Sequence, residues 1–182
     1  MPPEAAALLA GLLKRPDLAS LHTQLMAKFH DHWAFGGSVA LQLHSLQRNA
    51  GRGREPQDVD IEMAELQHDR LFDALKSERG TGCLKKAIAA DGTPETYFLF
   101  DDELKVDLIR NTTQERRHSA RFERICGVPV VSLAALKSLK NCDLDDPIES
   151  IRNKAKTDLA TIKKLETMPR IPNFNNPSEQ KV

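Results

Sequence analysis

Apolar residues recur along the chain with two periods, one helical and one of strict alternation, and glycines and prolines mark the breaks between them. Helical spacing covers 4–14 and 18–29. A short apolar strand over 32–35 then runs into Gly36-Gly37. Ser38 opens a helix whose apolar face carries Val39, Ala40, Leu43 and Leu46, and which ends near Asn49-Ala50-Gly51. Residues 58–63 alternate acidic and apolar, as a strand with one wet face does. A helix over 65–77 follows, then strands at 83–89, 96–100 and 103–109. Arg124-Ile125 and Val128 to Val131 flank Cys126-Gly127 as a hairpin. Ser132 is placed to cap a helix over 133–142, and Pro147 starts a last helix with Ile148, Ile151, Ala155, Leu159, Ile162 and Leu165 on one stripe.

Strands and helices mix without a βαβ rhythm, which predicts an α+β fold: a small mixed sheet flanked by helices, with a C-terminal helical pair. The expected organisation is N-terminal helices over 1–31, a sheet-bearing core over 32–131 and C-terminal helices over 132–168. A disordered tail rich in Pro and Asn is expected over 169–182.

Four places along this pattern carry candidate chemistry. At Phe35-Gly36-Gly37-Ser38 a strand turns through two glycines into a helix start. Glycines admit a bulky anion close to the backbone, and a helix N-terminus offers unpaired N–H groups; the plainer alternative is a tight turn with a serine cap. In Asp58-Val59-Asp60-Ile61, residues two apart on a strand share a face, so both carboxylates meet one spot while Val59 and Ile61 face the core. Two hard carboxylates suit Mg²⁺; Glu62 continues that face and is expected to be solvated. In the strand over 103–109, Leu104, Val106 and Leu108 share one face and leave Asp107 on the other with Lys105 and Ile109. On the last two helices Lys140 falls inside the apolar stripe, Lys137 borders it, and Asp158 lies within the stripe beside Leu159, where structural ion pairing is the competing explanation.

Lys plus Arg and Asp plus Glu both number 26 in 182 residues, which excludes capture of nucleic acid through a large positive field but leaves local segregation open. Charged residues at 29% and apolar ones at 40% describe a globular protein with a real core. Cys83, Cys126 and Cys142 are odd in number and far apart, without a CxxC pair, which predicts a cytosolic chain. No apolar run is long enough for a membrane span, and the stretch 5–13 lacks the basic flank of a signal peptide, so no membrane partner is expected.

Gly36-Gly37-Ser38, then Asp58-x-Asp60, then Asp107 on a strand, resembles the DNA polymerase β superfamily of nucleotidyltransferases. The branch of AbiEii-type toxins and related stand-alone bacterial nucleotidyltransferases is closer, because Arg54 stands four before Asp58, Val131 to Lys137 resembles its segment leading into a helical lysine, and Arg152-x-Lys154-x-x-x-Asp158-Leu159 resembles its closing motif. The resemblance spans roughly 32–165. The Gly/Arg-rich loop at 50–57 lengthens the gap between Ser38 and Asp58, and Pro56 and Ala155 depart from the family pattern.

That resemblance implies a nucleotidyltransferase core over 32–131 and transfer of a nucleoside monophosphate from an NTP to a hydroxyl acceptor: RNA, protein or a small molecule. Asp58, Asp60 and Asp107 would be catalytic and would hold Mg²⁺, as two ions, with Mn²⁺ as a substitute. Gly36, Gly37 and Ser38 would bind the nucleotide's phosphates, with Lys137 or, as the alternative, Lys140 neutralising them; Arg54, Lys154 and Asp158 would support. A toxin role would add a cognate antitoxin as partner. A catalytically silent nucleotide- or protein-binding module is the alternative, and an RNA-binding adaptor, drawing on the basic run Arg116, Arg117, Arg121 and Arg124, is a third reading. That run also holds Glu115 and Glu123, so a salt-bridged face competes with it. His30-Asp31-His32 is read as ordinary solvated side chains.

Overall fold

In a computed structural model of the chain, residues 5, 7–12, 14–30, 32–51, 58–64, 70, 83–88, 94–100, 104–111, 121–171 and 174 are described. The expected helix over 65–77, apart from Arg70, together with Arg54, Arg116, Arg117 and the tail from 175, lies outside them.

The architecture is α+β: one seven-stranded mixed sheet with helices packed on it. The strands are β1 (Trp33–Phe35), β2 (Val59–Ala64), β3 (Cys83–Ile88), β4 (Pro94–Phe100), β5 (Leu104–Asn111), β6 (Phe122–Ile125) and β7 (Val128–Val131), in the order β3-β4-β5-β2-β1-β7-β6. Helices α1 (Pro16–Phe29), α2 (Gly37–Gln47), α3 (Leu133–Cys142) and α4 (Glu149–Thr167) complete it, with a short helical turn, Ala7–Leu12, before α1. β2 pairs parallel with β5 and antiparallel with β1, so the acidic strand lies in the middle of the sheet. β5 runs on to Asn111, past the expected end, because its pairing with β2 continues to Ala64.

Local chemistry accounts for the joints. Cys126 and Gly127 both take positive φ (49° and 78°), the twist that a two-residue hairpin turn demands between β6 and β7. Ser132 Oγ accepts from Ala135 N at 3.3 Å and starts α3 as its sequence position requires. α4 begins at Glu149, after Pro147: Asp146 Oδ1 accepts from Ile148 N at 2.8 Å, and Arg152 donates to the carbonyls of Asp146 and Pro147 at 2.7 Å each. Arg152 thereby closes the turn in front of its own helix.

α2 is enclosed on nearly every side, so its polar residues are buried along with the apolar stripe. Ser45 satisfies itself on Leu41 O at 2.8 Å, and His44 donates through Nε2 to Val131 O at 2.9 Å, tying the helix to β7. The start of the tail is held in place as well. Ile171 N donates to Gln47 O at 2.9 Å, Arg170 pairs with Glu123 at 2.8 Å, and Phe174 is buried with its carbonyl on Cys126 Sγ. Disorder therefore does not describe residues 170, 171 and 174: an apolar residue with a groove to fill outweighs a loop-like composition.

His22 on α1 is fully buried, edge-on to Trp33 at 5.6 Å, with neither ring nitrogen partnered among the described residues. Burial first, and then the charge of Arg124, push its pKa down to about 4 from 6.5. The folded state keeps this ring neutral, whereas the unfolded chain takes up a proton below about pH 6.5. Its contribution is therefore whole above that pH, declines at up to about 1.4 kcal/mol per pH unit as pH falls toward 4, and is flat below. Urea unfolding at pH 7 and pH 5 is expected to show a smaller loss of stability for His22→Leu than for the wild type; equal losses would mean that His22 carries no proton linkage.

Candidate functional site

The site begins with the parallel register of β2 and β5. Asp60 pairs directly with Asp107, so alternation sends both carboxylates to the same face of the sheet, with Asp58 just before the first residue of β2. On the other face Val59, Ile61 and Val106 are buried and hold the two strands in the core. Lys105 stands on the carboxylate face beside Asp107, Nζ to Oδ2 3.7 Å.

The glycines supply the second half of the site. Gly36 N donates to Asp60 O at 2.8 Å, and Gly36 takes the capping position of α2. Gly37 has φ +47°, in the left-handed region, and a Cβ built on it would come within 1.7 Å of Asp60 Oδ2. Two separate requirements thus exclude a side chain at this position: backbone conformation, and the carboxylate that fills the space. Ser38 is not the cap of α2. Its Oγ is buried and, among the described residues, has no hydrogen-bond partner.

Burial, and then repulsion from Asp58 and Asp107, push the Asp60 pKa up to about 6, against the opposing pull of Lys154 and Lys140. All five groups therefore share one field. Of the two candidate lysines on α3, Lys140 is the one whose charge reaches Asp60; it is 16% exposed, 2.8 Å from Asp143 Oδ2 and 3.8 Å from Asp158 Oδ2. Lys137 is 46% exposed and pairs with Glu166 of α4 at 2.8 Å. Lys154 has no hydrogen bond or ion pair among the described residues, and its effect on Asp60 exceeds that of Lys140.

Glu62 departs from its expected solvation. It is 1% exposed and accepts from Arg121 through Oε1, the Nε contact being 2.9 Å. β2 is central, so its wet face closes over by the third acidic position, and a buried carboxylate requires a cation. Arg121 belongs to the basic run and is spent on this pair, which favours the salt-bridged account of that residue. His30 and His32 are exposed. Among the described residues no group of three or more His, Cys, Asp or Glu side chains stands at metal-holding spacing, and no helix is long and apolar enough to cross a membrane.

No protein-family model and no curated protein matches the chain. Among solved structures, the crystal structure of ANT(2″)-Ia in complex with adenylyl-2″-tobramycin is similar at a TM-score of 0.47 and 13% identity, over 82% of this chain and 92% of that one.

The contact between Gly37 and Asp60 makes a thermodynamic expectation. Gly37→Ala meets both the carboxylate and the left-handed backbone, and is expected to destabilise by about 2–3 kcal/mol in urea unfolding. In an Asp60→Ala background only the backbone part remains, so the cost is expected to fall to about 1 kcal/mol. Equal costs in the two backgrounds would show that the carboxylate does not occupy the glycine's empty space.

Proposed function

We propose that this chain is a Mg²⁺-dependent nucleotidyltransferase that moves a nucleoside monophosphate from an NTP to a hydroxyl acceptor. The observation that carries the proposal is the in-register pair of Asp60 and Asp107, with Asp58 alongside, set directly against the Gly36-Gly37-Ser38 entrance to α2. Surplus negative charge lies next to a helix start that favours anions, a combination that a divalent cation bound to a polyphosphate reconciles.

The donor chemistry suits the metal: carboxylates are hard oxygen donors, and burial, then the charges of Asp58 and Asp107, raise the Asp60 pKa, a conflict that a divalent cation would relieve. Asp58, Asp60 and Asp107 would hold it, and bound there it would stabilise charge on the transferring phosphoryl group. The chain's own groups account for the rest. The Ser38 hydroxyl, buried without a partner, supplies a donor for a phosphate oxygen, and the absent side chain at Gly37 lets the phosphates approach Asp60. Lys140 and Lys154 offset charge on the departing pyrophosphate. Asp107 is suited to accept the proton of the attacking hydroxyl.

The resemblance in motif order to AbiEii-type toxins extends the proposal to a toxin paired with an antitoxin. The dispersed cysteines support action in the cytosol. A silent nucleotide-binding module is the second reading, favoured by the absence of a closed ligand cluster among the described residues.

Incubation with each α-labelled NTP, Mg²⁺ and cell extract is expected to label RNA, protein or a small-molecule fraction, and chelation by EDTA or Asp58→Ala/Asp60→Ala to abolish it. Lys140→Ala is expected to lower the rate by about 10²-fold and Lys137→Ala by less than about twofold. Labelling by the wild type no greater than by the double mutant would refute the enzyme; nucleotide binding without transfer would leave the silent module.

A further inference from the structure

The face of β5 that carries Asp107 is open to solvent. Lys105, Asp107 and Ile109 alternate onto it, while Leu104, Val106 and Leu108 pack into the core from the other side. The Lys105 and Asp107 side chains are 32% and 30% exposed. Ile109 is 36% exposed and is the large apolar side chain left at the surface among the described residues. We infer that Ile109 is an acceptor-contacting, specificity-determining residue, the apolar wall against which the acceptor lies while its hydroxyl meets Asp107. The inference rests on the nucleotidyl transfer proposed above, and it selects acceptors that carry apolar surface next to the reacting hydroxyl.

A single exposed isoleucine is ordinary on a protein surface, and a β-branched residue suits a strand wherever it stands. Three observations set this one apart. β5 is an interior strand, hydrogen-bonded to β4 on one side and to β2 on the other, so its open face is a floor and not a sheet edge. Asp60 stands opposite Asp107 and Glu62 opposite Ile109, so the apolar side chain continues the row in which the carboxylates are aligned, about 6.5 Å beyond Asp107. The β2 partner of Ile109 is in the reverse condition: Glu62 is buried and paired with Arg121. The row is closed on β2 and open on β5.

The two substrates then divide the sheet between them. Gly36 and Gly37 lie against Asp60 at the start of α2, on the β1 side of β2, where the triphosphate is proposed to sit. β5 flanks β2 on its other side. An acceptor that brings its hydroxyl to Asp107 without displacing the triphosphate approaches over β5, and the residues two places either way along that strand are Lys105 and Ile109. Lys105 is turned toward Asp107, Nζ to Oδ2 3.7 Å. Ile109 has no polar group to offer, so what it gives a ligand is apolar area removed from water. Such a wall holds the acceptor equally in the ground and transition states, and therefore acts on the KM for the acceptor more than on kcat.

The test compares Ile109→Val with Ile109→Thr, two β-branched side chains of similar shape that differ in a methyl against a hydroxyl. Initial rates of transfer from the α-labelled NTP are followed over a dilution series of cell extract at saturating NTP, and over NTP at fixed extract, with melting temperatures taken alongside. Ile109→Thr is expected to need about fivefold more extract than Ile109→Val for its half-maximal rate, with the KM for NTP the same in the two. Equal half-saturation in the two variants overturns the inference, as does a difference that falls on the KM for NTP or on the maximal rate alone. A loss that merely tracks a lowered melting temperature overturns it too, because Ile109 is then a structural cover for the Glu62–Arg121 pair. A wild type with no transfer activity at all overturns the enzyme reading and this inference together, whereas an active wild type whose Val and Thr variants behave alike overturns this inference alone.

Discussion

The Asp60 carboxylate occupies the space that a side chain at position 37 would fill, and much of the molecule is arranged around that contact. β2 must run through the middle of the sheet to bring Asp60 there. β1 must end at Phe35 so that the backbone can turn at once into α2. The hydrogen bond from Gly36 N to Asp60 O locks the strand end to the helix entrance and fixes their separation. A half-buried carboxylate against a helix start, with two others beside it, is a poor choice for stability alone. Its raised pKa expresses that conflict, and sites that bind charged ligands commonly retain conflicts of this kind.

Charge is organised by depth. Glu62, two residues beyond Asp60 on the same strand, is buried and neutralised by Arg121, whereas Asp60 has no direct ion pair of that kind among the described residues and feels Lys154 and Lys140 across the site. One strand thus carries a structural acid and functional candidates on a single face. The repulsion of Asp60 by Asp58 and Asp107 is relieved only in part by the lysines. α3 and α4 pack together, with Lys140 between Asp143 and Asp158, and the charges of Lys154 and Lys140 act on Asp60. The Lys137–Glu166 pair on their outer surface is more exposed and ties the same two helices.

Much of this was legible in the sequence because it is local. Alternation over 58–63 and 103–109 assigned the aspartates to one face of each strand, Cys126-Gly127 marked the hairpin, and Ser132 marked the start of α3. The readings that failed were those in which a residue's neighbours come from elsewhere in the chain. Glu62 reads as solvated until β2 is known to be central. The stretch after Pro169 reads as tail until Ile171 and Phe174 are found against α2 and the β6–β7 hairpin. His22 carries no local signal at all, since one histidine on a helix looks the same whether it faces water or Trp33.

The sequence by itself determined the elements, the face on which each acid stands, and the order Gly-Gly-Ser, Asp-x-Asp, Asp that suggested a reaction. These follow from the fixed periods of backbone geometry, which need only neighbouring residues. Tertiary structure alone decided that Asp60 lies opposite Asp107, because strand register is set by pairing between segments more than forty residues apart. It also decided that Lys140 is covered beside Asp143 and Asp158 while Lys137 is exposed beside Glu166. Those outcomes depend on how α3 and α4 pack, and packing answers to shape and burial that no short stretch of sequence contains.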